Sequence, residues 1–212
     1  MSRTRIKLCG ITRAEDVRLA VELGADALGF VCWKKSPRYV NPDAIGRLTR
    51  GLPIFVHRVG VFVNADPDEI VDIVERADLT AIQLHGDEDP MEWADSPIPV
   101  IKSIGVGVDF DGAVLGGWPP AVTPLLDTLD AEKRGGTGQT IDWDLAAAAA
   151  RTRPVILAGG LTPENVEEAV VRVRPFAIDV SSGVERAPGV KDPPRLRAFM
   201  KAVHRADSRS DR

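Results

Sequence analysis

Cys9 stands at the end of a short apolar run and directly before Gly10, in RIKLCGIT at residues 5–12. Three other reactive side chains take the same kind of position: His85 before Gly86 in AIQLHGDE, Asp127 near the end of PLLDT, and Asp179 in FAIDVSSG. A thiol of ordinary pKa, about 8.5, acts as a base once it is ionised. A carboxyl kept in apolar surroundings stays protonated and acts as an acid. Cys9 and an aspartate brought to one place would therefore make an acid/base pair. Lys7 falls on the same face of an extended segment as Cys9, and a lysine buried there needs an anionic partner, for which Asp179 is the candidate. Bland readings compete with each of these. A strand-end cysteine is often a small core residue, a strand-end aspartate forms turns, and a histidine before glycine can simply close one.

Positioning these groups is the work of eight β-branched, apolar runs, at about residues 5–9, 26–32, 55–63, 79–84, 98–104, 122–127, 154–158 and 176–180. Helical patterns lie between them. Four share the i, i+3, i+4, i+7 spacing of a helix with one buried face: Val17, Ala20, Val21, Gly24; Ile70, Ile73, Val74, Ala77; Val166, Ala169, Val170, Val173; and Leu196, Phe199, Met200, Val203. Asn41-Pro42, Asp66-Pro67 and Thr162-Pro163 each read as an N-cap followed by proline in the first helical turn, and Gly24 as a C-terminal cap. Strand and helix in alternation, with short joins, means parallel strands with crossover helices. Eight units predict a single-domain (β/α)8 barrel, a TIM barrel of the α/β class. An open doubly wound sheet would carry phosphate-binding glycines after its first strand, and CGIT has no such pattern. The glycine- and proline-rich segment 107–120 predicts a short or irregular element after strand five. The barrel is expected over residues 1–204, with a frayed tail over 205–212.

In a barrel, alternate strand residues face the interior, and active sites gather at the carboxyl ends of the strands. Cys9, His85, Asp127 and Asp179 would share that mouth, with Lys7 a layer below. Two late loops add a phosphate-binding character. AGGLTPENV follows strand seven and SSGVE follows strand eight, where barrels hold phosphate on backbone N–H groups. Gly159, Gly160, Ser182 and Gly183 are the expected contacts. Arg38, stiffened by Pro37, follows strand two and suits a carboxylate. RGGTGQTIDW, residues 134–143, reads as a lid or as a plain connection.

Composition narrows the setting. The 212 residues are 44% hydrophobic and 27% charged, ordinary for a globular domain, and 27 Lys and Arg against 31 Asp and Glu leave a net charge of -4. No basic block points to nucleic acid and no apolar run suits a membrane span or a signal peptide, so a cytoplasmic location is expected. Two cysteines, Cys9 and Cys32, are too few for a disulfide framework or a four-cysteine metal site.

As a set, KLCGIT, GADALGFV, SPRYV, VGVFVN, AIQLHGDE, LLDT, GGTGQTIDW, LAGGLTPENV and DVSSGVERAPGVKD closely resemble the phosphoribosylanthranilate isomerases of tryptophan biosynthesis. The resemblance runs along nearly the whole chain and weakens over about 107–120 and in the tail. It implies an Amadori rearrangement of an aminoaldose phosphate to an aminoketose phosphate, with no metal and no organic cofactor. Asp127 is implied as the general acid and Cys9 as the general base. Arg38 would bind the anthranilate carboxylate, and Gly159, Gly160, Ser182 and Gly183 the phosphate, with Lys7, His85 and Asp179 lining the substrate site. The partner is then a small phosphosugar, to a monomer or homodimer, with neither nucleic acid nor membrane. Two alternatives stand beside this. A histidine-pathway isomerase performs the same chemistry, but such enzymes usually carry aspartate where Cys9 ends strand one. A non-catalytic phosphosugar-binding barrel would be expected to lose Cys9 or Asp127.

Overall fold

The computed structural model describes residues 3–128 and 140–210. Among them, eight parallel strands close into a barrel in sequence order: β1 (Arg5–Leu8), β2 (Ala27–Val31), β3 (His57–Phe62), β4 (Ala81–Leu84), β5 (Val100–Val106), β6 (Val122–Thr128), β7 (Ile156–Leu157) and β8 (Ala177–Val180). β1 pairs with β8 to complete the ring, setting Lys7 beside Asp179. The predicted (β/α)8 barrel is thus the observed architecture.

The outer layer holds α1 (Ala14–Glu22), α2 (Pro42–Leu48), α3 (Pro67–Ala77), α4 (Trp143–Thr152), α5 (Val166–Val173) and α6 (Pro193–Ser210). Asn41 and Asp66 cap α2 and α3 through their side chains, with proline in the first turn, as their types require. Gly24 follows α1 in the left-handed region at φ +85° and returns its N–H to Val21. Leu196, Phe199, Met200 and Val203 are all buried, so the periodic face of α6 is the one that meets the sheet.

Three elements depart from the simplest repeat. After β4 and β5 the crossover shrinks to single 3-10 turns, Pro90–Trp93 and Gly112–Gly117, the second meeting the expectation of an irregular element. Arg153 braces that second turn by donating to the carbonyls of Leu115, Trp118, Pro119 and Val122. After β8 comes a 3-10 turn, Ser182–Val184, and then a small antiparallel hairpin, β9 (Glu185–Ala187) and β10 (Val190–Lys191), before α6.

Two expectations need correction. Thr162-Pro163 does not cap α5 directly. The Thr162 hydroxyl accepts from Glu164 N–H in a preceding turn, while Asn165 occupies the N-cap and uses its side chain to brace the loop instead. The tail is not frayed from residue 205, because α6 runs on through Ser210. Ala206 is fully buried, and the Asp207 carboxylate accepts from the Thr4 N–H and hydroxyl, which gives these last turns a tertiary anchor.

Side chains sort by parity as barrel closure demands. Ile6, Leu8, Ile82, Leu84 and Leu126 turn outward into the large core beneath the helices, whereas Leu125, Ile156, Ala158 and Ala177 pack together inside the barrel, with Ile101 against them. Lys7, Gln83 and Asp179 form a buried polar layer. No helix among the described residues is long and apolar enough to cross a membrane.

Candidate active site

Cys9 lies one residue past β1 and continues its ladder, donating its N–H to Val180 O at 2.9 Å. Its thiol sits inside the mouth because Gly29 in β2 leaves room for it. A Cβ on Gly29 would come within 2.9 Å of the Cys9 sulfur and 3.1 Å of Lys7 Nζ. The Lys7 ammonium is committed, donating to Asp179 Oδ1 at 2.9 Å with the lysine 3% exposed. Burial works to lower Lys7, yet Asp179 and Cys9 together hold it above its usual value. Burial pushes the Cys9 thiol up, and although Lys7 and Lys191 both act to lower it, they do not outweigh that cost. Cys9 is therefore a thiol at neutral pH, and a base only in the fraction that is ionised.

Across the mouth stand Asp127 on β6 and His85 just past β4. Burial raises Asp127 above the ordinary carboxylate range and lowers His85 below the ordinary imidazole range, so both favour their neutral forms. Asp127 Oδ1 accepts from Thr128 N–H at 2.7 Å. Its other oxygen faces His85 Nε2 at 3.7 Å, beyond a hydrogen bond. Gln83 sets the imidazole, with its amide nitrogen 3.1 Å from His85 Nδ1. A carboxyl whose proton is held more tightly than usual, at the barrel mouth, suits a proton donor.

The two late loops meet. A Cβ on Gly183 would fall 1.8 Å from Leu161 O, so only glycine allows the loop after β8 to lie against the loop after β7. Gly159 and Gly160 are both left-handed, at φ +77° and +62°. Among the described residues, the N–H groups of Gly159, Gly160, Ser182 and Gly183 donate no hydrogen bond within the protein. Asn165 holds the cradle open by donating to Gly160 O and accepting from Thr162 N–H. Four free donors on adjoining loops can receive a phosphate.

Arg38 occupies the rim, but not alone. Its Nε lies 3.1 Å from each Glu185 oxygen and its Nη2 lies 2.7 Å from Oε2. Lys191, fully buried, adds its ammonium to Glu185 Oε1 at 2.9 Å. Sequence reasoning singled out Arg38 and missed Glu185, Lys191, Gly29 and Gln83. Glu185 and Lys191 lie in VERAPGVKD, whose charges look like a solvated turn until the hairpin folds back on the loop after β1. Of the 134–143 segment, residues 134–139 lie outside the described residues, while Asp142 caps α4.

The sequence-predicted residues thus come together at one end of a closed (β/α)8 barrel, where Asp127, His85, Cys9 and the loops after β7 and β8 all follow the carboxyl ends of their strands. Such an arrangement suits acid/base chemistry on a small molecule that carries an anionic group. The family model for N-(5'-phosphoribosyl)anthranilate (PRA) isomerase matches residues 6–202, and the chain belongs to that family of isomerases. The N-(5'-phosphoribosyl)anthranilate isomerase of Pseudomonas fluorescens is 46% identical over 209 residues, which cover 98% of this chain and 99% of that one. A crystal structure of phosphoribosyl anthranilate isomerase in complex with reduced 1-(o-carboxyphenylamino)-1-deoxyribulose 5-phosphate superposes with TM-score 0.83 at 42% identity, covering 95% of this chain and 98% of that one. Another, of monomers of the dimeric enzyme of Thermotoga maritima, superposes with TM-score 0.83 at 41% identity, covering 95% and 98%.

Proposed function

We propose that the protein converts N-(5'-phosphoribosyl)anthranilate to 1-(2-carboxyphenylamino)-1-deoxyribulose 5-phosphate in tryptophan biosynthesis, with Asp127 as general acid and Cys9 as general base. The observation that carries this reading is that Asp127, whose carboxyl burial pushes above its ordinary range, and the buried Cys9 thiol share the barrel end where Gly159, Gly160, Ser182 and Gly183 leave their N–H groups unused among the described residues. Asp127 donates its proton to the ribose ring oxygen, and the ring opens to a Schiff base. The Cys9 thiolate then removes the C2' proton, electrons move toward the nitrogen, and the resulting enolamine tautomerises to the ketone. The two residues exchange protons with the substrate and no atom is gained or lost overall. The N–H groups of Gly159, Gly160, Ser182 and Gly183 hold the phosphate, and Arg38 meets the anthranilate carboxylate. Lys7, Asp179 and His85 line the floor and wall.

The fluorescence change of the anthranilate ring, followed as freshly made phosphoribosylanthranilate is consumed, tests the reading. Turnover by the parent with losses of roughly 10²-fold or more in kcat for both Cys9→Ser and Asp127→Asn is expected. An inactive parent would overturn it and direct the assay to the histidine-pathway aminoaldose and then to binding alone.

The free thiols of Cys9 and Cys32 suit action in the reducing cytoplasm. A homodimer is the assembly best supported. Phe55, 86% exposed, lines an apolar hollow at the opposite end of the barrel from the site, and its neighbour Ile54 is 88% exposed. Sedimentation as a monomer at micromolar concentration would exclude it.

A further inference from the structure

Three charged side chains beside Cys9 form a closed cluster. Glu185, with its side chain 4% exposed, takes Arg38 on both oxygens and Lys191 on Oε1. Lys191 is fully buried and spends its remaining donors on the backbone carbonyls of Cys9 and Ser181. The three N–H groups of that ammonium are therefore all used. The hairpin carrying Glu185 and Lys191 is itself clamped to the loop after β1. The Thr12 hydroxyl donates to Gly189 O, Lys191 N–H donates to Asp16, and Arg13 joins Asp16 to Lys191 O.

The guanidinium is held by one edge only. Nε and Nη2 face Glu185, while Nη1 donates no hydrogen bond among the described residues. The stem of Arg38 rests on the backbone of Gly10, where a Cβ would fall 2.6 Å from Cδ. Burial and the nearby Arg38 pull Lys191 below its ordinary lysine value while Glu185 works to hold its charge, whereas Arg38 is held above its usual value by Glu185 and is the cation with an edge left for an anion. Ion clusters buried for stability alone gain little over apolar packing, so this much desolvated charge next to a reactive thiol asks for another use.

We propose that Glu185 and Lys191 are positioning residues for the recognition of the substrate carboxylate. Glu185 grips the inner edge of Arg38 so that the Nη1/Nη2 edge stands fixed over the Cys9–Gly10 turn. Lys191 ties that same carboxylate to the backbone at Cys9 and at Ser181, beside the phosphate loop. One hairpin thereby sets the distance between the carboxylate end of the substrate, the base and the phosphate end. This rests on the reading of Arg38 as the carboxylate contact.

The test compares two unreactive ligands by titration calorimetry: reduced 1-(o-carboxyphenylamino)-1-deoxyribulose 5-phosphate and its phenylamino counterpart without the carboxylate. The proteins are the parent, Arg38→Met, Glu185→Gln combined with Lys191→Met so that the fully buried ammonium goes together with its carboxylate, and Glu185→Asp, which keeps both charges and withdraws the grip by one methylene. For the paired variant, a loss of about tenfold or more is expected for the carboxylated ligand and under about twofold for the other. Glu185→Asp should lose severalfold in the same selective way, which keeps the test open if the paired variant fails to fold. Equal weakening toward both ligands, or unchanged preference in both Glu185 variants while Arg38→Met loses its preference, would overturn the positioning role and leave Arg38 as the contact. An Arg38→Met protein that kept the full preference would overturn the reading of Arg38 and the proposal with it.

Discussion

Lys7 Nζ and Asp179 Oδ1 meet at 2.9 Å across adjacent strands, β1 and β8, where the barrel closes on itself. The contact joins residues 172 apart in sequence and is almost fully buried. Removing one partner strands the other charge in the interior. Lys7→Met should therefore destabilise the fold by about 3–5 kcal/mol, and Lys7→Met with Asp179→Asn by much less. Urea unfolding of the three proteins measures this. Lys7 is raised in the folded state, so the stability it contributes is complete below the unfolded lysine value and fades as pH climbs past the folded one. A midpoint that stayed level through strongly alkaline pH would contradict the pairing.

The pH profile of kcat/KM should be a broad bell with its limbs assigned against habit. Asp127 must be protonated and Cys9 ionised, yet burial raises both, so the competent form is a small, pH-independent fraction between the two values. The lower limb then belongs to Asp127 and the upper to Cys9. In the Lys7→Met, Asp179→Asn protein, the lowering influence of Lys7 is removed together with the opposing influence of Asp179. Because Lys7 weighs more than Asp179 on Cys9, the expected profile has a lower plateau that reaches to higher pH. An unshifted upper limb would show that Lys7 does not tune the thiol.

Gly29→Ala should cost activity without touching substrate. Its Cβ would press on the Cys9 sulfur and on Lys7 Nζ at 2.9 and 3.1 Å, so the thiol must move out of line. A shift of that order costs about 10²-fold where alignment governs the rate. The expected change is in kcat far more than in KM, read from full substrate saturation curves beside a thermal melt that stays near the parent's.

Gly183→Ala should act on the phosphate end. The new Cβ would collide with Leu161 O, pushing the two loops apart and spoiling the convergence of their N–H groups. KM and inhibition by inorganic phosphate should weaken together by about tenfold or more, since hydrogen bonds to a charged group are each worth about 1.5–3 kcal/mol. Phosphate inhibition equal to the parent's would place the phosphate elsewhere.

Asp207→Ala tests the end of the chain. The carboxylate holds Thr4 N–H and hydroxyl at 3.1 and 2.6 Å, so its loss should cost about 1–2 kcal/mol in chemical denaturation while turnover stays near the parent's. A stability unchanged by the substitution would return residues 205–210 to the standing of a loose tail.

Much of this molecule was determined by its sequence alone. Alternating apolar strands and 3.6-periodic helices fix the barrel because each pattern has one way to bury its apolar face. Parity then places Lys7 and Cys9 on one side and Ile6 and Leu8 on the other. Strand ends name Cys9, His85, Asp127 and Asp179, since carboxyl ends of barrel strands share one rim. What only the tertiary structure decided is which charges meet and which protons they hold. Glu185 lies 147 residues from Arg38, and no local pattern distinguishes it from a solvated glutamate until the hairpin packs on the loop after β1. Lys191 reads as a surface charge until closure buries it, whereas parity already sets Gln83 on the face of His85. The end of α6 reads as a polar tail until Asp207 finds Thr4. Local periodicity decides what a segment becomes, because it depends on neighbours along the chain. Desolvation and ion pairing depend on neighbours in space, and closing the ring between β8 and β1 is what supplies them.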